Sequence, residues 1–133
     1  MTKNVSNVLG DLKLPAIHMH LGGQILKFDE IEIKLSLEYQ AKPEFANPMG
    51  HLQGGMLCSM LDDAMGLFAL LAYEGKPSAT VSLNIAFLRP CALEKVNVEV
   101  YFVRQGKKIS NIESIAYQKG KAVGKATAVF TLI

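Results

Sequence analysis

The sequence predicts an α+β domain in which a curled antiparallel sheet wraps one long central helix. Three patterns lead to this fold class: a long apolar segment rich in helix-forming residues, stretches in which apolar and polar residues alternate, and turn residues spaced about ten to twelve positions apart. The helical segment and most of the alternating stretches are separated along the chain, which favours this class over one that alternates strands and helices.

Length and composition indicate a single domain, residues 1–133, of globular type. Hydrophobic residues make up 50% of the chain and charged residues 20%, a balance that excludes an intrinsically disordered protein. The net charge of +2 gives no broad electrostatic footprint for a nucleic-acid partner. Cys58 and Cys91 lack the spacing of metal ligands. The first residues contain no apolar stretch of the kind that a secretory signal requires, so we expect a cytoplasmic location.

The first forty residues predict a short helix followed by a strand. Residues 1–13 place apolar side chains at helical spacing before Pro15 interrupts the pattern, which indicates an amphipathic N-terminal helix. Residues 30–39 then alternate polar and apolar side chains, and the apolar face consists of Ile31, Ile33, Leu35, Leu37 and Tyr39. Such strict alternation predicts one half-buried strand.

The segment from Gly54 to Tyr73 predicts the central helix. Alanine, leucine and methionine dominate it, and it contains no β-branched residue. It is apolar on almost every side, so the rest of the protein has to enclose it. Asp62 and Asp63 lie in its middle, and each would cost about 2.5–3.5 kcal/mol at the centre of a bilayer. The segment is therefore predicted to be the buried helix of a soluble protein and not a membrane span.

The C-terminal half predicts a series of strands joined by tight turns. The strands are expected within residues 80–88, 96–102, 109–117 and 123–133, and the turns at Gln105-Gly106-Lys107 and Lys119-Gly120. The short spacing between the turns indicates an antiparallel meander. The outer face and the edges of a curled sheet need to be covered, which predicts a homodimer or a homotetramer.

Two features of the central helix are candidates for chemistry. Gly54 and Gly55 let another group approach the backbone where the first helical amides are free, although a tight turn alone also explains two glycines. The second feature is a stripe of small and polar residues, Gly55, Ser59, Asp62, Gly66, Ala69 and Tyr73. Asp62 lies in the middle of this stripe, where an unpaired charge is costly, and Asp63 points about 100° away. We expect one of the two acids to be functional and the other structural.

The start of this helix resembles the motif of a known family. Residues 47–55, Asn-Pro-Met-Gly-His-Leu-Gln-Gly-Gly, are similar to the Asn-x-x-Gly-x-x-His-Gly-Gly motif of hotdog thioesterases of the phenylacetate-degradation (4-hydroxybenzoyl-CoA thioesterase-like) type. Asp62 falls on the position of the acid that follows this motif. Residues 80–90 resemble the family's next strand, in which Thr80 matches a serine or threonine that contacts the site. The resemblance covers roughly residues 14–133 and implies the hotdog fold.

One position departs from the family motif. Gln53 is found where the family has a histidine, and a histidine occurs two places earlier as His51. Glutamine keeps the capacity to form hydrogen bonds but cannot become cationic. The replacement is compatible with retained activity, with altered substrate choice, or with a non-catalytic relative. For His51, a surface or loop-packing role is favoured over compensation for the missing histidine.

The resemblance implies an acyl-CoA thioesterase that needs no cofactor. The backbone amide of Gly54 would donate a hydrogen bond to the thioester carbonyl, and Asp62 would either attack that carbonyl or activate a water molecule. In this family the acid and the amide come from different subunits. The residues expected to complete the catalytic site are Asn47, Gln53 and Thr80. The candidates for binding the acyl-CoA substrate are Gly55, His51 and Arg89.

Other sites and functions are less favoured. His18 and His20 form only an isolated His-x-His pair, so no metal site is predicted. The other basic residues considered for the phosphates of coenzyme A are Arg104, Lys107 and Lys108. A non-catalytic acyl-CoA-binding hotdog protein is the strongest alternative, because loss of the motif histidine is one route to it. A hydratase would need a histidine paired with an acid, and a purely structural oligomer gives no reason for Asp62.

Overall fold

The structure, a computed structural model, describes residues 14–133 as one long helix packed against a six-stranded antiparallel sheet. Helix α1 spans Ala16–His20 and helix α2 spans Gly54–Ala72. The strands are β1 (Gln24–Asp29), β2 (Lys34–Gln40), β3 (Ser78–Phe87), β4 (Lys95–Gln105), β5 (Ile109–Gln118) and β6 (Lys121–Leu132). A single 3-10 turn, Pro43–Phe45, interrupts the loop before α2. The α+β class is confirmed, and the helix predicted for residues 1–13 lies outside the described residues.

Helix α2 forms where it was predicted, but the chain encloses it on one side only. Its core-facing residues are buried against the inner face of the sheet. On the opposite side, a Cβ atom added at Gly55 or Gly66 would meet nothing within 4 Å. Although α2 has the length and hydropathy of a membrane-spanning helix, 50% of its most apolar stretch is buried within the domain. The expected complete enclosure is therefore wrong for a single chain, because the sheet curls around α2 without closing into a barrel.

The single strand predicted for residues 30–39 is wrong at its first half. The chain forms a hairpin of β1 and β2, and residues 30–33 form its turn. Ile31 is 94% exposed there, and Ile33 has a φ of 55°. The Oδ1 atom of Asp29 accepts hydrogen bonds from two amides of the turn at 3.0 Å each, and these bonds lower the pKa of Asp29. The predicted burial is confirmed for the rest of the pattern, Leu35, Leu37 and Tyr39.

The predicted meander is confirmed for β4, β5 and β6 but is wrong for β3. The strand order is β1-β2-β4-β5-β6-β3, so β3 pairs with β6 at one edge of the sheet and not with β4. Lys119 and Gly120, both with positive φ, form the predicted turn between β5 and β6. Strand β3 consequently has one edge that pairs with no other strand of residues 14–133. Apolar side chains are exposed on and just after it, with Val81 62% and Phe87 56% accessible.

Candidate active site

The loop that precedes α2 is held in shape by Asn47. Its Oδ1 atom accepts hydrogen bonds from the amides of Met49 at 2.9 Å and His51 at 3.1 Å. The backbone amide of Asn47 donates a hydrogen bond to the backbone carbonyl of His51 at 2.7 Å. The Asn47 side chain also lines a cleft at the start of the helix. Because Oδ1 is committed to the turn, the Nδ2 group is the part of this side chain that can serve a ligand.

Helix α2 begins with two amides that have no acceptor within residues 14–133. Gln53 precedes the helix, and its exposed side chain makes no capping hydrogen bond in the described part of the chain. The amides of Gly54 and Gly55 donate to no atom of the described chain. The ring of Phe87 packs on Gly54, where an added Cβ would lie 3.1 Å from the ring. The helix start thus presents free donors at the positive end of the helix dipole, an arrangement suited to an oxygen that carries negative charge.

Asp62 and Thr80, which the motif placed in one site, lie together in the structure. The Oγ1 atom of Thr80, on β3, donates a hydrogen bond to Oδ1 of Asp62 at 3.1 Å. Asp62 is partly accessible on the open side of α2. A carboxylate that is accessible and held by a single hydroxyl can act as a nucleophile or as a base.

The stripe of small residues predicted along α2 is open over its first half only. Gly55 is exposed, and Ser59 and Gly66 are partly exposed beside Asp62. Ala69, by contrast, is fully buried. Tyr73 donates a hydrogen bond from its hydroxyl to the carbonyl of Gly106 at 2.7 Å. The accessible surface for a ligand or a second subunit therefore extends from the helix start to about Gly66.

The side chain of Asp63, next to Asp62, is buried and hydrogen-bonded in the interior. Its side chain is 5% exposed. Its Oδ2 atom accepts a hydrogen bond from the Tyr39 hydroxyl at 2.7 Å and lies 2.6 Å from Nδ1 of His18. Burial, reinforced by the charge of Asp63, raises the pKa of Tyr39, so this hydroxyl keeps its proton. No sequence pattern indicated these contacts, because the partners are 24 and 45 residues away from Asp63.

An open cleft of about 380 Å³ lies beside the start of α2. Its polar lining comes from Asn47, His51, Arg89 and the backbone of Gly54, and its apolar lining includes Met49, Leu57, Phe87 and Pro90. Arg89 is exposed, and its guanidinium group donates a hydrogen bond to the carbonyl of Ala122. Cys91 also lines the cleft, but burial raises the pKa of its thiol to about 11, which leaves it protonated near neutral pH.

The acid and the helix amide are well separated within one chain. Gly54 and Asp62 are eight positions apart on α2, and at 1.5 Å per residue this corresponds to about 12 Å along the helix axis. Neither Asp62 nor Thr80 lines the cleft beside Gly54. The structure therefore groups the predicted site residues into two sets: one at the helix start, with Asn47, Gly54, His51 and Arg89, and one in the middle of the helix, with Asp62 and Thr80.

The remaining candidates lie elsewhere. Arg104 lines a separate depression of about 470 Å³ on the outer face of the sheet, and Lys107 and Lys108 belong to the turn between β4 and β5. His20 is exposed, and the centroid of its ring lies 5.3 Å from that of Phe45. His18, by contrast, is buried. Within residues 14–133, no group of three or more His, Cys, Asp or Glu residues is arranged to hold a metal ion.

The sequence matches the family model of the thioesterase superfamily over residues 49–125. A phenylacetic acid degradation-related protein from Ralstonia eutropha JMP134 is 33% identical and has a TM-score of 0.89, with 96% of this chain and 97% of that chain covered. These findings confirm the resemblance to thioesterases of the phenylacetate-degradation type and the hotdog fold. The matched segment contains the helix start, Asp62 and Thr80.

Two more distant proteins are also similar. Human acyl-coenzyme A thioesterase 13 is 23% identical over 111 residues, which cover 83% of this chain and 79% of that protein. A hypothetical thioesterase protein from Streptococcus pneumoniae TIGR4, solved with coenzyme A, is 21% identical, has a TM-score of 0.74, and is matched over 83% of this chain and 87% of that chain.

Proposed function

The chain belongs to the thioesterase superfamily, and we propose that it hydrolyses acyl-CoA thioesters to a free acid and coenzyme A. The observation that carries this proposal is Asp62, an accessible carboxylate held by Thr80 on the open side of α2. The names of the relatives support the substrate class, since one is an acyl-coenzyme A thioesterase and another was solved with coenzyme A.

The proposed mechanism uses the helix amide and the carboxylate together. The free amide of Gly54 donates a hydrogen bond to the carbonyl oxygen of the thioester and stabilises the negative charge that develops there. Asp62 either attacks the carbonyl carbon or removes a proton from an attacking water. The carbon–sulfur bond then breaks, and the thiolate of coenzyme A takes up a proton. Where Asp62 is the nucleophile, water then hydrolyses the acyl–Asp62 anhydride, which releases the free acid and regenerates the carboxylate. Asn47 and Thr80 orient the groups around the reacting carbonyl.

We propose that each site is completed by two copies of the chain. The separation of about 12 Å between Gly54 and Asp62 along the helix is too large for both to reach one carbonyl from the same chain. The unpaired edge of β3 and the exposed apolar side chains on it favour association with a second copy. In a dimer, Asp62 of one copy would meet the helix start of its partner.

Sedimentation of the protein at micromolar concentration is expected to give a dimer or a tetramer and no stable monomer. Val81→Lys places a charge on the exposed edge of β3 and should weaken the assembly and abolish activity together. Ile31→Lys is the matched control, because Ile31 is 94% exposed in the hairpin turn far from that edge. A parent protein that is fully active as a monomer would contradict the two-copy site.

Substrate binding is proposed for the cleft beside the helix start. Its apolar lining suits an acyl chain or the pantetheine arm, and Arg89 at its rim suits a phosphate of coenzyme A. His51 and the exposed backbone at Gly55 complete this binding surface.

The cytoplasmic location expected from the sequence stays a prediction, which a fluorescent fusion can test.

The function is tested with a panel of acyl-CoA thioesters and a reagent that detects the released thiol. Turnover above the uncatalysed rate for at least one acyl-CoA, absent from Asp62→Asn, supports the proposal. The second candidate function is non-catalytic binding of acyl-CoA, which Gln53 in place of the motif histidine favours. Saturable binding of acyl-CoA without turnover would establish that alternative instead.

The variant Gln53→His distinguishes a native thioesterase from a relative that has lost catalysis. If Gln53 only orients the substrate, the variant should keep kcat/KM within about tenfold of the parent, a change of about 1.4 kcal/mol in the barrier. The exposed position of Gln53, without a capping bond, leaves room for the imidazole. A gain of several orders of magnitude from near-background turnover would favour the binding protein as the native function.

A further inference from the structure

A buried hydrogen-bond network lies directly beside the proposed catalytic acid. It consists of Asp63 on α2, Tyr39 on β2 and His18 on α1, and both partners reach the same carboxylate oxygen, at 2.7 and 2.6 Å. The side chains of Tyr39 and His18 are fully buried, and their rings meet edge to face at 5.8 Å. Three separate elements of the fold are thus joined at one atom.

The ring of His18 is tightly packed within this network. The Nε2 atom of His18 is buried and has no hydrogen-bond partner among the described residues. A buried carboxylate such as that of Asp63 costs free energy unless its partners are well placed. Gly23 packs so tightly on the ring that an added Cβ would lie 2.3 Å from it, which fixes the imidazole in place.

The network holds α2 on a different side of the helix from the contact that Asp62 makes. Asp63 is held by β2 and α1, whereas Asp62 is held by Thr80 of β3. In the sheet, β2 and β3 are separated by β4, β5 and β6. The two adjacent acids therefore fix the rotation of α2 about its axis from two directions, at the turn that carries Asp62.

We propose that Asp63, Tyr39 and His18 are positioning residues, which hold α2 in the rotation that aims Asp62 at Thr80 and at the open side of the helix. This inference rests on the proposed function, since it assigns the network to the reaction of Asp62. A displacement of about 1 Å in a reacting group can cost up to 10²-fold in rate. Loss of one network hydrogen bond should therefore lower kcat more than it changes substrate binding.

The kinetic test uses variants that change the hydrogen-bonding groups of the network. Tyr39→Phe removes only the hydroxyl, and His18→Leu removes the donor, whereas His18→Asn keeps an N–H group near the place of Nδ1. We expect Tyr39→Phe and His18→Leu to lower kcat about tenfold with KM within about twofold of the parent, and His18→Asn to restore most of kcat. Tyr101→Phe is the matched control, because its hydroxyl bonds to Glu113 on the outer face of the sheet.

A second measurement makes the inference independent of turnover. The side-chain carboxyl ¹³C signal of Asp62, assigned by its loss in Asp62→Asn, should shift in Tyr39→Phe and His18→Leu and stay in place in Tyr101→Phe. Parental kcat and an unmoved Asp62 signal, combined with a lower unfolding midpoint, would overturn the proposal and leave the network a structural role. If the parent hydrolyses no acyl-CoA, the proposed function fails, and the Asp62 signal alone still decides whether the network positions this residue.

Discussion

Replacement of Asp62 by asparagine is expected to lower thioesterase turnover by at least ~100-fold, because general-base catalysis contributes about 10²–10⁴-fold. Asparagine keeps the size of the side chain and an oxygen that can accept the Thr80 hydrogen bond of 3.1 Å. It removes the charge that either attack on the carbonyl or activation of water requires. Initial rates of thiol release, with kcat and kcat/KM determined separately, measure the loss.

The fold of this variant should be retained. Asp62 is partly accessible and, within residues 14–133, has one hydrogen bond, to a hydroxyl on an exposed part of β3. Little stability therefore depends on its charge. Unfolding of Asp62→Asn in a thermal melt would show instead that the carboxylate has a structural role.

Asp63→Asn is the matched comparison, with the same chemical change one residue along the helix. The amide oxygen of asparagine can still accept from Tyr39 and His18, so the network largely persists. We expect a loss of no more than about tenfold, a barrier change of about 1.4 kcal/mol. Loss of turnover at Asp63 alone would mean that the wrong acid was chosen. Full activity in both variants would remove the carboxylate mechanism.

The elements that the sequence predicted correctly are those set by local pattern. Helix α2 could be predicted because the composition of Gly54–Ala72, which has no β-branched residue, favours a helix over a strand. Strand β1 was missed because a register shift between Ile25 and Lys27 breaks its alternation. The hairpin turn was hidden because Ile31 and Ile33 continue the alternation of β2 into residues that are not strand.

Contacts between distant parts of the chain could not be predicted in the same way. The pairing of β3 with β6 depends on the curl of the whole sheet around α2. The spacing of the turns contains no information on this curl, and it therefore indicated a simple meander. The prediction that Asp62 and Thr80 lie in one site came from the family motif and not from periodicity. No pattern indicated that His18, in an isolated His-x-His, would be a buried partner of Asp63. A histidine of this kind is informative only after the fold brings its neighbours together.

The amide of Gly54 is the second group on which the mechanism depends, and proline can remove it without disturbing the helix. Proline is favoured at the first position of a helix, where the missing N–H has no intrahelical acceptor. Gln53 already has the extended backbone that precedes proline, with φ of −59° and ψ of 133°. Loss of one donor to a developing oxyanion costs about 10²–10³-fold in kcat, and we expect Gly54→Pro to lose this much.

Gly54→Ala is the control for the added bulk. Both variants place a Cβ atom about 3.1 Å from the ring of Phe87, a 56% exposed side chain that can move aside. Alanine keeps the amide, so its kcat should stay within about tenfold of the parent. Equal losses in the alanine and proline variants would show that contact with Phe87, and not the hydrogen bond, controls the rate.

Thioesterase activity should be partly restored when the two inactive variants, Asp62→Asn and Gly54→Pro, are produced together in one cell. If each site takes its acid from one copy and its amide from the other, a mixed dimer contains one intact site and one site with both defects. Random pairing makes half of the dimers mixed, so the preparation should recover about a quarter of the parental activity. Each variant purified alone stays at least ~100-fold below the parent. A co-produced preparation that shows only the sum of the two residual activities would place the amide and the acid of each site in the same chain, against the separation of about 12 Å along α2.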